Sequence, residues 1–142
     1  MQEVSMPWIT NVSYIDIKNG THPYDSNTIL IQIVDPNMEF PTPTVPFVNV
    51  FQFEFLDTDL SGTDMDEFVM SDNQADSIAQ ILVNAYSLNQ NVLVHCVAGL
   101  CRSGAVTEVG TIIGFEDKFN FTRLPNVTVK CKLIQSLNLY GD

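Results

Sequence analysis

The chain has 142 residues, 45% of them hydrophobic and 10% aromatic, with 17 acidic against 6 basic side chains and a formal charge of −11 at pH 7. That length and apolar content suit one ordinary core, so one domain over residues 1–142 is expected, while the acidity opposes binding to nucleic acid or anionic lipid. No apolar run approaches the ~18 residues that span a bilayer, the opening MQEVSMPWIT has no secretion-signal pattern, and an odd three cysteines form no disulfide framework, so a soluble cytoplasmic protein with free thiols is expected.

WITNVSYI, at residues 8–15, reads as a short strand, and NTILIQIVD (27–35), β-branched and stopped by Asp35-Pro36, reads as a buried one. After the proline-rich PNMEFPTPTVP, the segment FVNVFQFEFLD (47–57) favours a third strand. DTDLSGTDMDEF (57–68) reads as a solvated acidic loop. Its Asp59, Asp64, Asp66 and Glu67 match no calcium-loop spacing, and no metal is expected there. SDNQADSIAQILVNAYSL is a helix: Ser71 and Gln74 make a capping box, and Ile78, Ile81, Leu82, Ala85 and Leu88 line one face.

NVLVHC (91–96) is a further strand, and RSGAVTEVGTIIG a helix from Arg102 that stops near Gly114. Gly104 and Gly110 lower helix propensity, a cost usually accepted where the backbone must pack closely. NVTVKCKLIQSL, from Asn126, reads as a short last helix with Cys131 in its core face. Strands alternating with helices give an α/β class with one central sheet flanked by helices. Three glycosylation sequons begin at Asn11, Asn120 and Asn126, and in a protein without a secretion signal they are not read.

VLVHCVAGLCRSGAV, residues 92–106, places Cys96, Cys101 and Arg102 within seven positions. Composition alone gives about 0.04 Cys-x5-Arg pairs in a chain of this length. Here the spacing joins a strand to a helix through a loop, and successive loop N–H groups with a helix N-terminus form an anion cradle. Gly99 can take the positive φ that such a loop needs. Dipoles and the Arg102 guanidinium would stabilise a thiolate at Cys96, as in activated cysteines that titrate at about 3.5 to 7.5. The planar Arg102 fork suits a phosphoryl group, both in the ground state and as its oxygens spread in displacement. Attack by Cys96 on a phosphate monoester then requires a general acid for the leaving oxygen.

VHCVAGLCRSG resembles the HC-x5-R-(S/T) signature loop of the cysteine-dependent protein phosphatases, and its place late in a small domain resembles the dual-specificity class. FQFEFLD with its acidic loop, the helix before VLVHC, and LPNVTVKCKLIQSL are similar to a small bacterial and phage branch of that class, over roughly residues 8–138. The resemblance implies a mostly parallel central sheet, Cys96 as nucleophile, Arg102 as phosphate binder, and Ser103 as the hydroxyl that stabilises the departing thiolate. It implies phosphate-binding N–H groups at Val97, Ala98, Gly99, Leu100 and Cys101, and His95 as the residue that orients the loop and tunes Cys96. The general acid of the class lies just after the strand that here ends FEFLD, which makes Asp57 the first candidate, followed by Asp59 and Asp64.

Cys101 departs from the class, and CVAGLCRS resembles the loop of low-molecular-weight tyrosine phosphatases. There the loop lies near the N-terminus with the acid far downstream. Here 46 residues follow Cys96, with Asp117 the main acid among them, so chain order favours the dual-specificity reading. Cys101 is either a redox partner for Cys96 or a small loop-filling residue. His22 reads as exposed and inert, and Arg123 as a capping or surface-anion residue.

The expected activity is cofactor-free hydrolysis of phosphotyrosine, and of phosphoserine or phosphothreonine, in phosphorylated proteins or peptides by a monomer. VAGL, the loop interior, has no Lys or Arg, which disfavours phosphoinositides and RNA 5′-triphosphates. The rival readings are a rhodanese-type sulfurtransferase and a catalytically inactive phospho-binding module.

Overall fold

The structure, a computed structural model, describes residues 6–57 and 69–140. Asp59, Asp64, Asp66 and Glu67 lie outside the described residues, so neither the alternative general acids nor the acidic cluster can be placed.

Four strands form one sheet: β1 (Ile9–Ser13), β2 (Thr28–Val34), β3 (Val50–Glu54) and β4 (Asn91–Cys96). Their order is β1-β4-β2-β3 and every pair is parallel, so the carboxyl ends of all four strands lie on one edge. β2 is buried on both faces, as its run of aliphatic residues requires. Alternation divides the two central strands between two cores. Ile29, Ile31, Ile33, Val92 and Val94 face one core, and Leu30 and Leu93 face the other with Trp8, Val12 and Ile17.

The helices are α1 (Tyr14–Asn19), α2 (Asp72–Ser87), α3 (Arg102–Ile113) and α4 (Val127–Tyr140). The first strand is shorter than its sequence suggests because Ser13 caps α1. Its hydroxyl accepts from the Asp16 N–H while the Asp16 carboxylate accepts from the Ser13 N–H, and Gly20 closes the helix at φ 72°. α2 begins with the expected Ser71–Gln74 box. Its helical turns end at Ser87, so Leu88 stands 67% exposed instead of joining the apolar face.

α3 stops before Gly114, as read from the sequence. Gly110 lets it lie on β1, where a Cβ would come within 2.4 Å of Ile9 Cδ1, and Gly104 lets Arg123 and Leu124 pass close by. α4 is longer than expected, with Val129, Leu133 and Ser136 buried and Cys131 exposed on the opposite side, a correction to its placement in the core. His22 is half-buried, with Nδ1 2.8 Å from the Pro23 carbonyl and its ring against Phe47, and is not an exposed residue.

Candidate active site

β4 delivers Cys96 to the carboxyl edge of the sheet, and the loop 97–101 turns there into α3. Gly99 takes φ 77°, and any Cβ on it would lie 2.6 Å from the Val12 carbonyl carbon, so this position accepts only glycine. The loop carbonyls are tied down on the outside. Val97 O accepts from the Tyr14 N–H (3.2 Å), Leu100 O from Leu124 (2.9 Å), and Cys101 O from both Ala105 (2.9 Å) and Asn126 (3.0 Å). Gly99 O accepts from Asn11 Nδ2 at 2.7 Å. In a trans peptide the N–H points opposite to the preceding C=O. Fixing those four carbonyls outward therefore turns the N–H groups of Ala98, Leu100, Cys101 and Arg102 to the concave side. α3 has no side-chain cap, which leaves its first N–H groups available to an anion.

Within this bend Cys96 is buried, with Sγ 3.2 Å from Ser103 Oγ. Arg102 is only 4% exposed. Its Nη1 donates to both Asp35 Oδ1 and the Phe55 carbonyl at 2.7 Å, which orients the guanidinium. Its Nε is buried and has no partner among the described residues. An unpaired buried donor of this kind costs about 1–3 kcal/mol, and a ligand oxygen would relieve that cost.

Asp57 reaches the same place from the end of β3, its Oδ1 accepting from Asn126 Nδ2 at 2.8 Å. Cys96, Arg102, Asp35, Asp57, Cys101 and Leu56 border one open pocket of about 380 Å³. A larger groove of about 650 Å³ between β3 and α2 contains no cysteine and no basic side chain, and so offers none of this chemistry.

His95 is fully buried behind the loop and does not line the pocket. Burial pulls its pKa down to about 4, the hydrogen bond to the Cys96 carbonyl opposing this and the Arg102 charge adding to it. The ring is neutral at pH 7, and its Nδ1 lies 3.4 Å from Cys96 O, an acceptor, so the proton sits on Nδ1. Cys101 is half-buried. Burial first, then the neighbouring Asp57 carboxylate, push its thiol above the usual range, with Arg102 opposing.

One expectation fails here: Arg123 is not an anion site, because Nε and Nη2 are held at 3.0 Å by Glu108 and Asp117. Asp117, already disfavoured by chain order, is tied up in the same pairing.

Sequence reasoning missed three residues. In the sequence Asp35 marks the stop of β2, Asn126 the start of a helix and a sequon, and Asn11 a strand residue and a sequon, and none of the three signals a role at the site. Asn11 is in fact buried, with its amide nitrogen shared between Gly99 O and Thr122 O, so a glycan there is incompatible with this fold.

No family model matches the sequence, and no curated protein matches it. Solved structures do. The human tyrosine phosphatase-like serine/threonine/tyrosine-interacting protein aligns with a TM-score of 0.60 at 16% identity, over 94% of this chain and 93% of that one. Human DUSP28 aligns with a TM-score of 0.59 at 15% identity, over 95% and 94%. OH1 from the Orf virus, a tyrosine phosphatase with triple substrate specificity, aligns at 0.50 and 15% identity, over 93% and 88%. The chain thus has the α/β fold of the compact tyrosine and dual-specificity phosphatases, the fold that the signature loop led us to expect. At these identities the likeness is one of fold.

Proposed function

We propose that this protein is a cysteine-dependent phosphatase that hydrolyses phosphate monoesters on proteins through phosphocysteine. The observation that carries the reading is the convergence of Cys96, Arg102 with its unpartnered Nε, and Asp57 on one pocket, with the buried Ser103 hydroxyl 3.2 Å from Cys96 Sγ.

In the first step Cys96 Sγ attacks phosphorus, the P–O bond to the leaving group breaks, and Asp57 gives that oxygen its proton. Loop N–H groups and Arg102 hold the three equatorial oxygens. In the second step a water attacks phosphocysteine, Asp57 takes a proton from it, and the S–P bond breaks while Ser103 O–H donates to the departing sulfur. His95 acts as a positioning residue through the Cys96 carbonyl. The proposed substrates are phosphotyrosine together with phosphoserine and phosphothreonine, for which an open pocket of this kind has room. The proposed setting is a cytoplasmic monomer acting on phosphoproteins; among the described residues no helix is long and apolar enough to cross a membrane.

The test is hydrolysis of p-nitrophenyl phosphate in EDTA and fresh reductant. Wild type should turn over, Cys96→Ser should be inactive, Arg102→Lys should lose at least about 100-fold, and Asp57→Asn should lose activity far more steeply when phenyl phosphate replaces p-nitrophenyl phosphate. Wild type that binds vanadate without turnover would instead make the protein a phospho-binding module. Persulfide transfer from thiosulfate, undiminished in Asp57→Asn, would make it a sulfurtransferase.

A further inference from the structure

Asn126 touches three parts of the site at once. Its backbone N–H donates to the Cys101 carbonyl at 3.0 Å, the last carbonyl of the phosphate loop. Its side-chain Oδ1 accepts from the Val129 N–H at 3.0 Å and caps α4. Its Nδ2 donates to Asp57 Oδ1 at 2.8 Å, across 69 residues of sequence. The cap fixes which end of the amide faces which partner: rotating it would set Oδ1 against the Asp57 carboxylate and leave the Val129 N–H without its acceptor. Donation from Nδ2 is therefore built into the fold.

From this geometry we infer that Asn126 is the positioning residue of the general acid, and that it decides which carboxyl oxygen of Asp57 carries the catalytic proton. The inference rests on the phosphatase reading above. An oxygen that accepts from an amide N–H on its open side favours placing the acid proton on the other oxygen. With Oδ1 accepting from Asn126, the proton is placed on Oδ2 and passes from there to the leaving group, beside the Cys101 thiol that also hydrogen-bonds this carboxyl. Because the same residue is anchored to Cys101 O, the distance between the acid and the phosphate loop is set through one side chain and its own backbone. No covalent step is added: the proton passes from Asp57 Oδ2 to the leaving oxygen as the P–O bond breaks, and returns from water in the second step.

A general acid matters in proportion to the basicity of the leaving group, so the test compares phenyl phosphate, a poor leaving group, with p-nitrophenyl phosphate, a good one. Asn126→Ser and Asn126→Asp are both strong helix caps and keep α4 started. The serine is too short to reach Asp57, and the aspartate has no donor to offer. Each variant should lower kcat on phenyl phosphate by about 10- to 100-fold and on p-nitrophenyl phosphate by about 3-fold or less, with KM little changed. In an Asp57→Asn background, Asn126→Ser should add no further loss on phenyl phosphate.

Equal losses on both substrates, no loss on either, or a loss that persists in the Asp57→Asn background would overturn the inference. So would an Asp57→Asn variant as active as wild type beside an inactive Cys96→Ser, which keeps the phosphatase reading and moves the acid elsewhere. Wild type inactive on both substrates would sink the phosphatase reading first, and this inference with it.

Discussion

His95 immediately precedes Cys96, and its buried ring holds a pKa of about 4 against an ordinary 6.5. Between those two values the unfolded chain binds a proton that the folded chain refuses. The contribution is therefore complete above pH 6.5 and is lost as pH falls toward 4. Over roughly 2.5 pH units at ~1.4 kcal/mol each, the effect amounts to up to about 3 kcal/mol. Denaturant titrations at about pH 7, 5.5 and 4.5 should show wild type losing stability faster than His95→Asn, whose amide can still donate to the Cys96 carbonyl. A difference between the two proteins that stays constant with pH would contradict this account. The residues that were legible in advance, Cys96, Arg102 and Ser103, share one local spacing whose chemistry is specific. Asp35 and Asn126 were not legible, because their partners lie 67 and 69 residues away and only the fold brings them together.

At the scale of elements, α3, α4 and the segment between them are joined by a small ionic network. Glu108 on α3 accepts from Arg123 at 3.0 Å and from Lys130 on α4 at 3.2 Å. The Lys130 hydrogen bond first, and Arg123 with it, hold the Glu108 carboxyl below its usual range in spite of some burial. A lowered carboxylate pKa means that the stabilisation is present at neutral pH and fades as pH falls below the ordinary value of 4.5. Glu108→Gln should cost about 1 kcal/mol at pH 7 and low salt, and the cost should shrink at about 0.5 M salt. Thermal melts of both proteins at two salt concentrations check this, and a salt-independent difference would point to packing instead of charge.

The elements themselves were largely readable. Aliphatic runs announced β2 and β4, and the Ser71–Gln74 box announced α2. β1 ends at Ser13 and not at Ile15, because the Ser13–Asp16 capping box turns Tyr14 and Ile15 into α1. Cys131 is apolar by type but exposed by period: with Val129 and Leu133 buried, residue 131 falls on the opposite side of the helix.

For the molecule as a whole, the formal charge of −11 opposes the approach of a dianion, and Arg102 is the single basic residue among those lining the pocket. Asp35 and Asp57 stand beside it. Encounter is therefore resisted by a field that salt screens, while the buried contacts to the phosphate are screened less. Raising ionic strength with chloride from about 0.01 to 0.2 M should lower KM for p-nitrophenyl phosphate a few-fold and leave kcat nearly unchanged. A rise in KM would show that the field of the loop dominates at long range. The α/β class and the parallel sheet follow from the alternation of strands and helices together with the signature loop. The order β1-β4-β2-β3 does not follow from the sequence, since a parallel strand must be reached by a crossover and the crossovers leave several neighbours open.

That order has a consequence for how the chain comes into being. β1 pairs only with β4, Ile9 beside Val92, so the first strand made waits for the emergence of residues some 83 positions later. At about 5–20 residues per second on the ribosome, the wait lasts several seconds. Val12 and Ser13 are also the wall against which Gly99 closes. A nascent chain can therefore pair β2 with β3 early, yet the loop between β4 and α3 is not closed until its earliest-made strand has docked.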